Sequence, residues 1–480
     1  MKFKKLPMLC AALLCACFLF VGCSGVSVLK DNPAKDAPVY GNGGLAVVKG
    51  DYLYFVNGYT PYSSLSVGDN DGNADYATLY RVKLNASGGV EVDVKYDGDG
   101  EVIFDPAQTI KNTNVIAKKV VGFESMGIYI FGDYIYYASP NNQRSGSLTL
   151  RSDLVDIYRS KLDRSVGPER LYTTKQPGAS VSYTMMQIGN TVYLEVLDGE
   201  RIVVGKAVNG NWKGTEAYVT NATGAALPEF TDYTKIGSGA PDSAALNFSK
   251  YIYYTRNLTE KLDGSPILTG NALCRLDITN GETKTIFRDP NTIAIKAVVG
   301  DGIFYERTVS GAQSICFNNM SAELLSASEQ RIAARTFSDY IFINDITGKG
   351  VIGYDGTNIW RCMFNETGSI LVAKTITNLI KIHNNYIYYL AEGSVARLHI
   401  ASPDLTDEVL SASTGAMLDD ISKVSFAGEY MYYLKQYTNA KGSSYYLNRV
   451  YTVKQGDGTF TSEFVGVMLK KNYLEETETE

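Results

Sequence analysis

Histidine is nearly missing from this chain of 480 residues: His383 and His399 are the only two. Imidazole is the commonest acid, base and metal ligand near neutral pH, so its scarcity argues against Ser-His-Asp hydrolysis and against a multi-histidine metal centre. No GxSxG elbow or HExxH pair is present to argue otherwise. His383 itself precedes the run NYIYY and reads as a solvated turn residue. Cysteine is sparse as well, at seven, and Cys10, Cys15 and Cys17 fall in the first 22 residues. Beyond Cys23 only Cys274, Cys316 and Cys362 remain, with no CxxC spacing. That excludes a disulfide framework and a zinc site, and the most economical reading makes the three thiols buried strand residues, with one Cys pair as the alternative. Long apolar runs are absent too. The only extended one, Leu6 to Val21, falls short of the roughly 18 residues that a membrane-spanning helix needs.

That short run has a different meaning. Lys2, Lys4 and Lys5 precede it and Gly22 and Cys23 end it, the layout of a secretion signal. The residues Phe20, Val21, Gly22 and Cys23 resemble a bacterial lipobox, with Phe20 where Leu is usual. The resemblance implies cleavage before Cys23, a diacylglyceryl group on its thiol, and an extracytoplasmic protein anchored to a bacterial membrane by lipid. Removing the signal takes three lysines and no acid from 45 basic and 51 acidic residues, leaving 42 against 51, a balance of −9. A surface that acidic disfavours nucleic acid as a partner. Residues 23–43, rich in Pro, Gly and Asp, read as a flexible tether, and 473–480 as an acidic tail.

Residues 44–472 carry an internal repeat. A turn pair followed by a short aromatic run recurs eight times: DYLYF from Asp51, DYIYY from Asp133, NTVYL from Asn190, KYIYY from Lys250, DGIFY from Asp301, DYIFI from Asp339, NYIYY from Asn385 and EYMYY from Glu429. Successive copies lie 38 to 82 residues apart. Such periods, built from short strands and turns, indicate propeller blades rather than helical solenoids. Each run is apolar at successive positions, which signals burial on both faces, and the turn before it makes it the second strand of a hairpin. Six copies are followed by a strand with Arg in third place: Arg81, Arg159, Arg275, Arg361, Arg397 and Arg449. Looser versions surround Val203 and Ile315. Asn280 and Gly281 then suggest a type I′ hairpin into a fourth strand. The expected fold is therefore all-β, a β-propeller of four-stranded antiparallel blades, eight in number with seven as the alternative.

The reiterated YIYY, LYR(L/V) and Gly turn resemble the Tyr-rich β-propellers of exported bacterial lipoproteins, a family of uncharacterised function akin to TolB-like and YWTD propellers. The resemblance implies the fold and leaves activity open. On it, the expected function is ligand or protein binding, with a protein or glycan as partner, through loops over one face where insertions gather: 57–76, 86–118, 139–153 and 228–247. The alternative is a carboxylate-dependent glycosidase or lyase in the central funnel, because such enzymes need only Asp and Glu. Asp355 and Trp360 in YDGTNIW share the spacing of a sialidase Asp-box without its Ser and Gly. The scarcity of Trp separates the chain from quinone-dependent dehydrogenase propellers. The recurring Arg reads as an interface residue pairing with acids or carbonyls, since binding sites are usually built where repeats differ.

One cofactor is suggested by residue type alone. Asp69, Asp71, Asn73 and Asp75 alternate around Gly72, a hard oxygen cluster of the kind that holds calcium, although no bidentate Glu closes the loop. If they bind it, calcium raises the melting temperature of the mature domain and Asp71→Ala abolishes the rise. A thermal scan showing no shift on adding calcium disposes of the site.

Overall fold

In the computed structural model, the described residues lie between Val28 and Phe464 with interruptions, the longest at 58–77, 86–94, 104–112, 142–153, 227–249, 320–329, 400–407, 412–423 and 454–461. They form eight consecutive antiparallel sheets and a separate two-stranded ribbon. Seven of the eight have four strands. Sheet 1 has five, because Val39–Tyr40 adds to the edge of its first strand, Ala46–Lys49. Within each sheet the strands follow chain order, as in the meander of a propeller blade. First-to-second and third-to-fourth connections thus share one end of a sheet, here the turn end. The second-to-third connection marks the other, the hairpin end.

The first strands gather together. Ala46–Lys49 lies against Tyr129–Phe131 of sheet 2 and Val424–Ala427 of sheet 8, and Thr292–Val299 of sheet 5 lies against the first strands of sheets 4 and 6. The turns that start the second strands share one device. Gly50, Gly132, Gly189 and Gly428 all have φ between 57° and 60°, left-handed backbone that glycine enters without Cβ strain. The expected type I′ turn at Asn280 and Gly281 is not formed, since only Gly281 has positive φ. Asp277 holds that turn instead, accepting from the Thr279 N–H at 2.9 Å.

Apolar layers lie between successive sheets. In sheet 7, Tyr388 packs toward sheet 8 and its chain neighbour Tyr389 toward sheet 6, which explains why the aromatic runs do not alternate with polar residues. One cluster joins Leu53 and Phe55 of sheet 1 to Tyr136 of sheet 2, Leu194 of sheet 3, and Tyr432 and Leu447 of sheet 8. The two ends of the chain therefore share a core. The Leu45 N–H also donates to Ser425 Oγ at 3.3 Å.

Seven of the eight runs occupy the second strand. The exception is DYIFI, which is the first strand of sheet 6, while Gly348–Tyr354 takes the second place. Glycine is required there: a Cβ on Gly353 would come within 2.6 Å of the Phe337 ring, and one on Gly350 within 2.3 Å of the Cys362 carbonyl. The aromatic signature marks burial between sheets, and a first strand in this sheet meets the same condition.

In five of its six copies the recurring arginine lies opposite the second tyrosine of its aromatic run and covers the first tyrosine; Arg361 instead faces Ile352, because DYIFI is not the strand beside it. Arg81 sits over the Tyr52 ring at 4.8 Å, Arg159 over Tyr134 at 4.4 Å, Arg275 over Tyr251 at 4.3 Å, Arg397 over Tyr386 at 4.0 Å and Arg449 over Tyr430 at 4.1 Å. Three of these guanidiniums also reach the next sheet, donating to the carbonyls of Leu162, Gly210 and Thr452 at 3.4, 2.8 and 2.7 Å. All three carbonyls lie just after the third strand of that sheet. The register corrects the two looser copies: Lys206, not Val203, faces Tyr193 in sheet 3, and Phe317, not Ile315, faces Phe304 in sheet 5. Phe304, Phe317, Phe342 and Phe364 cluster there instead.

Residues 28–43, assigned to the tether by composition, are bound to the sheets. The Leu29 N–H donates to Asp163 O, Arg81 donates to Asp31 O and Asn32 Oδ1, and the buried Lys49 ammonium donates to Lys35 O at 2.9 Å. This strap crosses the turn end of sheets 1 and 2, runs beside the first strand as Val39–Tyr40, and reaches the other end at Gly41 to Gly44. There the Asn42 side chain imitates a strand, accepting from the Ile130 N–H at 2.7 Å and donating to Ile130 O at 3.2 Å.

Arg397→Ala removes the guanidinium from Tyr386 and leaves the Thr452 carbonyl without its donor. A cation over an aromatic ring contributes about 0.5–2 kcal/mol and an unpaired buried carbonyl costs about 1–3 kcal/mol. Urea unfolding should show a loss of about 2–4 kcal/mol, and a change within error of zero would remove the arginine from the account of how sheets 7 and 8 are joined.

Candidate functional site

A carboxylate enzyme needs two acidic groups within about 5–10 Å of each other, and the first strands, which gather together, are the first place to look. Their acids are Asp339 and Asp345, at opposite ends of Asp339–Asp345. Six positions apart along one strand, their backbones stand about 20 Å apart, beyond the roughly 5–10 Å over which a carboxylate pair acts. The remaining first-strand positions are mainly small, apolar or hydroxylated, as in AVVK, YIF, GAA and VSFA.

Buried carboxylates elsewhere are mostly committed to structure. Asp156 accepts from Asn141 Nδ2 at 2.8 Å and from the Thr173 hydroxyl at 2.5 Å. Asp198 accepts from the Tyr172 hydroxyl and the N–H groups of Lys175 and Gln176, tying the link between sheets 2 and 3 to the hairpin end. Asp277 pairs with Lys250 and Asp289 with Arg307, both at 2.6 Å. Asp355 is equally occupied: it accepts from the Trp360 indole at 2.5 Å and from the N–H groups of Thr357 and Asn358. These donors hold its carboxyl below the usual aspartate range. The Asp-box-like segment thus closes a hairpin and holds no spare acid.

Glu195 differs from all of these. It lies on the second strand of sheet 3, Thr191–Asp198, on the face that Tyr193 packs toward sheet 4, opposite Thr184 and Val204. It is fully buried, and among the described residues neither carboxyl oxygen has a hydrogen-bond partner. Burial alone pushes its pKa up to about 8, so at neutral pH the group is mostly a neutral acid. The Tyr129 hydroxyl reaches around from sheet 2 to Thr184 Oγ1 at 3.4 Å. Burial foremost, with the Glu195 charge adding to it, raises the Tyr129 phenol to about 12. Tyr183 beside it donates to the Gly127 carbonyl. A neutral carboxyl among phenols and a threonine is a proton-donating group without a present acceptor, the one described buried acid free for a ligand or a protonation switch.

The other residues singled out in the sequence separate clearly. His383 is not a solvated turn residue: it ends a first strand, is buried, stacks on Phe426 at 4.3 Å, and its Nε2 lies 3.0 Å from Gly428 O. His399 ends a third strand in the same sheet. Cys274, Cys316 and Cys362 are buried and unbridged. Cys23, Asp69, Asp71, Asn73 and Asp75 lie outside the described residues, among which no group of three or more His, Cys, Asp or Glu gathers. The insertions do not share one face. Residues 58–77 and 142–153 leave from the hairpin ends of sheets 1 and 2, whereas 86–112 and 227–249 leave from the turn ends of sheets 1 and 4. Glu195 went unnoticed in the sequence, although one charge inside the apolar run VYLEVL was a signal.

No protein-family model matches this sequence, and no curated protein does. Solved structures similar to it include a prolyl endopeptidase from a study of two such enzymes, at 11% identity and TM-score 0.40, covering 87% of this chain and 55% of that one. Oligogalacturonate lyase from Vibrio parahaemolyticus is similar at 10% identity and TM-score 0.37, covering 71% and 99%. TolB from Acinetobacter baumannii is similar at 12% identity and TM-score 0.29, covering 69% and 81%. The chain spans about half the length of the peptidase. At these scores the likenesses carry no weight for activity.

Because the folded-state pKa of Glu195 lies above its unfolded value, its contribution to stability is fully present below about pH 4.5 and is lost as pH rises to about 8, by an amount on the order of 3–5 kcal/mol. Glu195→Gln should match the parent at pH 5 and exceed it at pH 9. Chemical unfolding at both values checks this, and equal pH dependence in the two proteins would show that Glu195 does not carry it.

Proposed function

We propose that this protein is an extracytoplasmic binding module, anchored to a bacterial membrane through lipid on Cys23, whose eight sheets close into an eight-bladed β-propeller. Closure is supported by the core shared by sheets 8 and 1 and by Arg449. Its side chain in the last sheet is fully buried, a condition met when another sheet covers it. Anchoring is supported by the lipobox-like residues around Cys23.

The observation that carries binding over catalysis is the poverty of acid on the first strands, where Asp339 and Asp345 stand about 20 Å apart. The committed hydrogen bonds of Asp156, Asp198, Asp277, Asp289 and Asp355 point the same way. A glycosidase or lyase would have to draw its carboxylates from the loops. Recognition of a protein or glycan by the non-repeating connections needs no such pair.

The test has two arms. Purified mature protein is incubated with neutral and acidic polysaccharides, with no new reducing ends or unsaturated uronate expected. Photo-crosslinking residues are placed in the connections 58–77 and 142–153 and on the outer strand Asn211–Val219, with adducts expected from the connections only. Polysaccharide cleavage that disappears on replacing one Asp or Glu would overturn the binding reading.

A further inference from the structure

The strap fixes where the chain leaves the propeller, and its distance from Cys23 limits where the membrane can be. Leu29, Asp31 and Asn32 are bonded at the turn end of sheets 1 and 2, through Asp163 O and the Arg81 guanidinium. Val28 is five chain steps from Cys23, a reach of at most about 18 Å fully extended. A sheet built of eight-residue strands such as Thr191–Asp198 is about 26 Å from turn end to hairpin end. A tether of that length cannot carry the lipid around to the hairpin end.

A second observation, independent of the tether, marks the same end. The exposed large hydrophobics among the described residues are Val28, Val166, Ile188, Val309 and Val453. Four of the five lie at turn ends. Val28 begins the strap, Val166 follows the third strand of sheet 2, Ile188 precedes the first turn of sheet 3, and Val453 follows the third strand of sheet 8. These sheets flank the strap. Val309 alone is at a hairpin end, in sheet 5 on the far side of the sequence. Exposed apolar side chains gathered on one rim of the described surface are what a lipid interface selects. Charge at the strap is balanced, with Lys30, Lys35 and Lys83 against Asp31, Asp36 and Asp51, so strongly anionic lipid is not required.

We infer that the turn ends of sheets 8, 1, 2 and 3 rest against the lipid bilayer, with Val166, Ile188 and Val453 entering its headgroup layer, and that the hairpin ends face away. This rests on the lipid-anchored reading above and adds the side of the propeller that touches the membrane. The hairpin-end connections 58–77 and 142–153 are then presented outward, while 86–112 and 227–249 leave on the membrane side.

The full chain, matured in a bacterial host so that Cys23 is acylated, is reconstituted into phosphatidylcholine vesicles containing a nitroxide-labelled lipid as quencher. An environment-sensitive fluorophore is attached at Ile188→Cys or Val453→Cys at the turn ends, at Ala312→Cys at the hairpin end, or at Lys213→Cys on an outer strand. Quenching at positions 188 and 453 is expected to exceed that at 312 by threefold or more, with 213 between them. Equal quenching at all positions, or strongest quenching at 312 or 213, overturns the orientation. Failure of the acylated chain to float with vesicles, or flotation equal to that of Cys23→Ser, overturns the anchored reading itself and is scored separately. Melting temperatures within about 2 °C of the parent confirm that each labelled variant is folded.

Discussion

Contact between sheets across the faces of their second strands is the constraint on which everything else depends. Each such strand is covered on both sides, so its residues must be apolar in sequence, and the polar tips of its tyrosines must find company at the interface. The arginine of the third strand answers that need. Its planar cation lies flat on the tyrosine at the start of the run, and in sheets 1, 2 and 7 its N–H groups reach a carbonyl in the next sheet. One side chain thereby fills space, shields a ring and fixes the spacing of neighbours. Sheets 5 and 6 do the same with phenylalanine rings, the nearest of which stand 4.7 Å apart.

Much of this was legible in the sequence because it repeats. The aromatic runs, the glycine turns and the arginine recur in the same order, so seven second strands and the structural role of the arginine could be read directly. DYIFI misled because periodicity reports burial and not rank within a sheet; only the glycines of GKGVIGY, small where Phe337 presses, betray which strand is second. The strap was hidden for a related reason. Its bonds are mostly to backbone, through Asp31, Lys35 and Asn42, and composition carries no record of which carbonyl a side chain will meet. His383 was misplaced because a turn and the last residue of a strand look alike in sequence, while stacking on Phe426 depends on a residue 43 positions away.

The candidate site shows the opposite of repetition. Glu195 has no unpaired counterpart in the other runs: its place beyond the aromatic pair holds Glu306 in the run from Asp301, where that acid lies 3.1 Å from Lys296, and elsewhere residues such as Val56, Thr255 and Leu434. A buried acid without partners is expensive to keep in an apolar layer. The other described buried acids each have a stated structural task, as Asp198 does in gripping the link between sheets 2 and 3. Function in such an array is more readily sought at departures of this kind and in the connections that vary than on the surfaces that every sheet shares.

The bond between Leu45 and Ser425 joins residues 380 positions apart, and the strap beside it touches sheets 2 and 8 at once. Contacts of that sequence separation slow folding, since a large loop must close before any of them forms. The strap can lie along sheets 1 and 2 early, but its inner turn at Gly41 to Gly44 lacks one wall until the last sheet exists. A chain made from its N-terminus onward therefore holds its first sheet half-covered until the final strands exist, and only they complete the seam.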